Sequence, residues 1–170
     1  MLAQSSESES NNTWQQANSL PIGTSVTGRL NKEDVDWYKI VVPDEGILSF
    51  TQTAETTLRL GRLFVYTLGS DGELHSRDSK DMDGYNEEVT VEYSINDIAP
   101  GTYYIEQKHY DGEGSYRLTC SFSPNKYGAD HAGNDSYDKA EPLTSGKSTE
   151  WRLGYYYLND KDVADWYKIV

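Results

Sequence analysis

The residues that could do chemistry stand well apart in this 170-residue chain. His75, His109 and His131 show no i, i+4 pairing and no acidic partner at metal-site spacing, so they read as surface or turn histidines. Asp81-Met82-Asp83-Gly84-Tyr85-Asn86-Glu87 has part of an EF-hand pattern. It lacks the third Asp or Asn before the glycine and the terminal glutamate spacing, and reads as a solvated hairpin turn. Gly146-Lys147-Ser148-Thr149 matches the tail of a phosphate loop, but the first glycine of that motif would fall at Glu141 and no helix follows. No Gly-x-Ser-x-Gly, no His-Glu-x-x-His and no Ser/His/Asp order stands out, so no catalysis is expected. Tyr103, Tyr104, Tyr110 and Tyr116 cluster near the end of the first two thirds. Aromatic faces with a polar tip suit peptide or glycan ligands, which makes Tyr104, Tyr110 and Tyr116 binding candidates. The alternative is that two of the four are core, because the adjacent Tyr103 and Tyr104 must face opposite sides of a strand.

Composition narrows the partners. There are 28 acidic and 15 basic residues, a formal net charge of −13. Such a surface repels phosphate backbones and anionic lipid, so neither nucleic acid nor a membrane is an expected partner. No apolar run approaches the roughly 18 to 20 residues a spanning helix needs. Cys120 is the one cysteine, which rules out an internal disulfide and a Cys-based zinc site, and its apolar alternating context predicts a buried thiol.

The elements that must position these residues are strands. Period-two runs predict strands near 25–30, 36–42, 47–53, 62–68, 73–77, 88–95, 101–108 and 114–122, with turn clusters such as Pro43-Asp44-Glu45-Gly46 and Ala99-Pro100-Gly101 between them. Within 36–42, Tyr38, Ile40 and Val42 share one face, and Trp37, Lys39 and Val41 the other. Eight short strands at this spacing argue for an all-β antiparallel sandwich of the jelly-roll kind. The one helical hint is Asn12-Thr13 capping a turn through Ala17.

The chain also repeats itself. Asn11-Asn12-Thr13, Ala17, Leu20 and Gly23 recur as Asn134-Asp135-Ser136, Ala140, Leu143 and Gly146, and Asp36-Trp37-Tyr38-Lys39-Ile40-Val41 recurs as Asp165-Trp166-Tyr167-Lys168-Ile169-Val170. The reading is a tandem duplication. It divides into a tail or linker at 1–10, a complete module at 11–123, a linker at 124–133 and the opening part of a second module at 134–170, and it expects the natural protein to be longer. Alone, 134–170 cannot close a sandwich, so Trp151, Trp166, Tyr167 and Ile169 are expected to dock on the first module, to swap with a second copy as a strand-exchanged oligomer, or to be poorly ordered.

These elements form a recognisable series: the Asn-[Asn/Asp]-[Thr/Ser] turn, the Asp-Trp-Tyr-Lys-Ile strand, Gly101-Thr102-Tyr103-Tyr104-Ile105, and Gly114-Ser115-Tyr116-Arg117-Leu118. The series resembles the bacterial pre-peptidase C-terminal domain family, which includes the collagen-binding domains of clostridial collagenases. The resemblance spans about 7–123, and 130–170 as an incomplete second copy. It implies a jelly-roll sandwich in a secreted or cell-surface bacterial protein, without catalysis of its own, aiding secretion, stability or attachment beside other domains. Two alternatives follow from it: a binding module for collagen-like peptide or glycan, and an appendage of an exported peptidase whose catalytic domain lies outside this chain. The resemblance also implies calcium. Collagenase-like members hold it with a Glu-x-Glu-x-Asn-[Asn/Asp] segment, matched here by Glu7, Glu9, Asn11 and Asn12, and with acids before the aromatic strand, here Glu33, Asp34 and Asp36. Calcium takes about six to eight hard oxygen ligands, several of them anionic, so the set is chemically sound. The alternative is that Glu7 and Glu9 sit on a solvated tail, Asn12 caps a turn and Asp36 bonds loop amides. In the second copy Asp162 and Asp165 fit the pattern, but Asp130 and Ala132 replace the paired glutamates, so a second site is expected to be impaired.

Overall fold

The structure, a computed structural model, describes residues 3–82, 90–125, 133–150, 156–157, 160–161 and 164–170. Most of the Asp81–Glu87 turn, and Asp130, His131, Ala132, Trp151 and Asp162, lie outside the described residues. Ten strands build the first unit: β1 (Ala3–Ser6), β2 (Asn18–Ser19), β3 (Thr24–Leu30), β4 (Asp36–Val42), β5 (Gly46–Ala54), β6 (Leu58–Leu68), β7 (Leu74–Asp81), β8 (Thr90–Ile98), β9 (Gly101–Gly112) and β10 (Gly114–Pro124).

The pairing is nested. β6 pairs with β7, β5 with β8, β4 with β9 and β3 with β10, all antiparallel. The chain thus behaves as one long hairpin whose paired arms roll into two five-stranded sheets, β1-β3-β10-β5-β8 and β2-β4-β9-β6-β7. That is the jelly roll the strand spacing predicts. Each predicted strand is present, most of them longer than the reading gave. The hairpin from β9 to β10 turns at Gly112, with φ +78°, where a Cβ would stand 2.0 Å from the Thr57 carbonyl oxygen. Only glycine fits there.

Alternation buries one face of each strand between the sheets. Tyr38, Ile40, Val42, Phe50, Leu63, Val65, Ile105, Tyr116, Leu118 and Cys120 meet in one core. β6 changes phase on the way: its register with β9 shifts between Leu60 and Leu63, so Leu58 and Leu60 point inward before the bulge and Leu63 and Val65 after it. Arg62 is turned outward by the same shift.

Two edge strands run parallel to their neighbours, a departure from the all-antiparallel expectation. β1 pairs with β3, and β2 with β4. The first lies in the segment read as a tail; its backbone ladder continues into Glu7, whose N–H donates to the Thr27 carbonyl at 3.0 Å. Since β1 belongs to one sheet and β2 to the other, the chain from Glu7 to Ala17 crosses from sheet to sheet, with a single 3-10 turn at Trp14–Gln16.

The later residues repeat these pairings. A 3-10 turn at Tyr137–Lys139 leads to β11 (Glu141–Leu143); β12 (Tyr156–Tyr157), β13 (Asp160–Lys161) and β14 (Tyr167–Ile169) follow. β11 and β14 pair in parallel with Glu141 beside Tyr167, the counterpart of Asn18 beside Tyr38. Trp166 N–H donates to the Asn134 carbonyl at 2.9 Å, as Trp37 N–H does to Asn11 at 3.0 Å. Ile169 is 82% exposed whereas its counterpart Ile40 is fully buried.

Candidate metal centre

The crossing segment brings its acids to the start of β4. Carboxylate oxygens of Glu7, Glu9 and Asp36 lie within 4.8 Å of one another. Each has a different anchor. Glu7 Oε1 accepts the Arg29 backbone N–H at 2.5 Å, fixing it to β3. Glu9 Oε2 accepts the Asn11 N–H at 3.2 Å. Asp36 is fully buried, and its Oδ2 accepts the Tyr116 hydroxyl at 2.5 Å. It therefore bonds a tyrosine of β10, not loop amides; Glu7 is half-buried where the ladder with β3 continues, and Glu9, on the same crossing segment, is exposed to solvent.

Two tyrosines join the carboxylates. The Tyr38 and Tyr116 hydroxyl oxygens are 2.5 Å apart, and Tyr38 donates to Glu7 Oε2 at 3.1 Å. A hydroxyl has one proton to give. With both carboxylates ionised, Tyr116 donates to Asp36 and Tyr38 to Glu7, and nothing is left for the tyrosine–tyrosine contact. With Asp36 protonated, one chain satisfies every contact: Asp36 donates to Tyr116, Tyr116 to Tyr38, and Tyr38 to Glu7. Burial, opposed by the Tyr116 hydrogen bond and reinforced by the charge of Glu7, pushes the Asp36 carboxyl up to about 8. Burial, with Asp34 and Glu7 nearby, raises Glu9 as well, against the Asn11 N–H bond that lowers it. Both tyrosine hydroxyls are held well above their ordinary range, chiefly by burial.

The metal-free arrangement is incompletely satisfied. Asp36 Oδ1 and both polar side-chain atoms of Asn11 are buried without a hydrogen-bond partner, although Asn11 is fully buried. Leaving such groups unpaired costs about 1–3 kcal/mol each. The carboxylates of Glu7, Glu9 and Asp36, with Asp36 Oδ1 left unpartnered, are a group that could hold a metal ion.

The other acids and amides read from the sequence lie differently. Asp34 is nearly buried and spends its oxygens on its own turn, accepting from Val35 N–H at 3.1 Å and Asn31 Nδ2 at 3.3 Å. Glu33 and Asn12 are exposed. Tyr38, which the sequence marks only as one face of its strand, and Gly28 also shape this cluster. A tyrosine on an inward face needs a partner for its hydroxyl, which was the available signal for Tyr38. Gly28 has no local signal: a Cβ there would stand 2.5 Å from the Tyr116 hydroxyl oxygen and 2.7 Å from Glu7 Oε2, so glycine leaves the space in which those groups meet.

The tyrosine candidates separate by burial. Tyr116 is 2% exposed and belongs to the core, where its hydroxyl bonds Asp36. Tyr104 lies on the outer face but is only 7% exposed, packed against Trp14 with ring centroids 5.3 Å apart. Tyr110 is 51% exposed and donates to Asp81 Oδ2 at 3.1 Å. His75, read as having no acidic partner at metal-site spacing, pairs with Asp71 at 3.0 Å across an exposed turn. Cys120 is fully buried, and burial pushes its thiol up to about 12.

No family model and no curated protein matches the chain. Solved structures do. A periplasmic inhibitor of g-type lysozyme from Aeromonas hydrophila is 13% identical and covers 63% of this chain and 97% of its own, with a TM-score of 0.45. A carbohydrate-binding module is 14% identical over 52% of this chain and 59% of that one, with a TM-score of 0.32. The pre-peptidase C-terminal domain of the collagenase from Bacillus anthracis is 26% identical and covers 62% of this chain and 94% of that one, with a TM-score of 0.49. That domain, to which this chain is similar, is of the family that the ordered motifs of the sequence resemble.

Proposed function

We propose that the first unit is a non-catalytic accessory module of an exported or cell-surface bacterial protein, stiffened by calcium at Glu7, Glu9 and Asp36. The observation that carries the metal is the pairing of three carboxylates within 4.8 Å with buried, unpartnered oxygens on Asp36 and Asn11. Calcium would supply charge compensation there, tying the crossing segment to β4. No described helix is long and apolar enough to cross a membrane. The partners are other domains of the same protein.

Thermal unfolding with and without calcium tests the reading. A ligand at 100 times its Kd adds about 2.7 kcal/mol of stability. The melting temperature should rise with calcium, and Glu7→Ala plus Glu9→Ala should remove the rise. An unchanged melting temperature in excess calcium sinks the proposal.

A second reading, a module that binds collagen-like peptide or glycan, is favoured by one observation: the outer face of the β4-β9-β6 sheet is aromatic where a solvent-facing sheet is ordinarily polar.

A further inference from the structure

Pairing register places Lys39, Tyr104 and Tyr66 in one row across β4, β9 and β6, and Trp37, Glu106 and Phe64 in the next. The rings are continuous. Trp37 and Tyr66 have centroids 5.5 Å apart, and Tyr66 and Phe64 6.0 Å, at interplanar angles of 31° and 24°. Trp37 is almost covered, while Tyr66 and Phe64 are half-buried and keep surface in solvent.

Cations border these rings. Lys108 Nζ lies 5.3 Å from the Phe64 centroid and the Arg62 guanidinium 5.8 Å from it. Lys39 is exposed and has no ion-pair partner among the described residues. The acids of the face are already matched: Glu106 accepts from the Tyr66 hydroxyl at 3.0 Å and pairs with Lys108 at 3.0 Å, and Asp81 sits 3.9 Å from Arg62. Lys39 therefore leaves the face net positive on a chain whose total is −13. The same Trp-x-Lys pair is exposed in the second unit as Trp166 and Lys168, with Tyr137 6.4 Å from Trp166.

We propose that this face binds an acidic polysaccharide, a linear chain of pyranose rings carrying carboxylates. The inference rests on the second reading above and narrows it to one ligand class. A pyranose presents a flat C–H face that packs on an aromatic ring, and its carboxylate accepts charge-assisted hydrogen bonds from Lys39, Lys108 or Arg62. A neutral glycan leaves Lys39 unmatched, and an acidic peptide leaves the rings without a stacking partner. The acids elsewhere do not override the patch, because at physiological ionic strength their field is screened beyond about 8 Å.

The test uses the full chain at 0.15 M salt, with tryptophan fluorescence reporting titration by three probes: a β-1,4-linked glucuronate oligomer, the cello-oligosaccharide of the same linkage without carboxylates, and polyglutamate. Saturable binding of the glucuronate oligomer, about tenfold or more tighter than either other probe, is expected. The triple variant Lys39→Gln, Arg62→Gln, Lys108→Gln, which touches no candidate metal ligand, should lose about tenfold or more while melting at the wild-type temperature, and Tyr66→Ala should weaken binding as well. Equal binding of the neutral oligomer through Tyr66 would overturn the inference and leave the broader binding reading standing. No binding of any probe would overturn both. Preference for polyglutamate, or glucuronate binding unchanged in the triple variant, would also overturn it.

Discussion

Replacing Asp36 by asparagine keeps the side chain's shape and removes its ability to ionise. In the metal-free protein burial holds this carboxyl near 8, against an ordinary value of 3.8. Between those two values the folded state keeps a proton that the unfolded state has lost, so stability falls as pH rises, by up to about 1.4 kcal/mol per unit. From pH 5 to pH 7 that amounts to about 2.7 kcal/mol. At roughly 3–5 °C per kcal/mol for a unit of this size, the melting temperature should drop by about 10 °C. Asp36→Asn should show little of this slope. In chelator at pH 7 it should therefore melt above the wild type, which it does not exceed by as much at pH 5. Calcium should reverse the wild-type trend, because the metal binds the ionised carboxylate and its affinity grows with pH, and should leave the variant unmoved. Calorimetric melts at pH 5, 6 and 7, in chelator and in calcium, give all four curves. A wild-type melting temperature that is flat or rises from pH 5 to 7 in chelator, or a variant that keeps the wild-type slope, refutes the reasoning.

Gly28→Ala should lower the melting temperature and abolish the calcium response together, since the new methyl group stands 2.5 Å from the Tyr116 hydroxyl oxygen and 2.7 Å from Glu7; an alanine variant with normal calcium binding would show that the space is not needed. Tyr116→Phe should cost about 1–3 kcal/mol in chelator, read by urea unfolding, because Asp36 Oδ2 and the Tyr38 hydroxyl each lose a partner. Cys120 should resist thiol reagents at neutral pH until the chain is unfolded, as a fully buried thiol pushed up to about 12 requires; rapid labelling of the native protein counts against the packing described.

The strands were legible because period-two burial writes itself into the sequence: Tyr38, Ile40 and Val42 face inward and Trp37, Lys39 and Val41 outward, as alternation requires. β1 and β2 were not legible. Ala3–Ser6 has no apolar alternation, and its strand exists because β3 offers a free edge beside it. The phase change in β6 was hidden for a similar reason, since a bulge is fixed by the partner strand and not by the residues that bulge. The acidic segments were visible as short motifs, yet which acids meet was decided by tertiary placement. Asp36 and Tyr116 are 80 residues apart, and only the β3–β10 and β4–β9 pairings bring them together. Asp34 is two residues from Asp36 and turns its oxygens to its own loop.

The nested pairing has a consequence for the order of folding. The innermost hairpin, β6 with β7, closes over a short stretch of chain, whereas β3 must wait for β10, the last strand of the unit to be synthesised. Contacts of such separation form slowly, because the intervening chain must be ordered before they are rewarded. Glu7 and Asp36 are made early, but Tyr116, which links them, arrives with β10. The cluster is therefore completed late: Tyr38 can bond Glu7, and Trp37 the Asn11 carbonyl, without β10, but Asp36 gains its hydroxyl partner only when both ends of the unit have met.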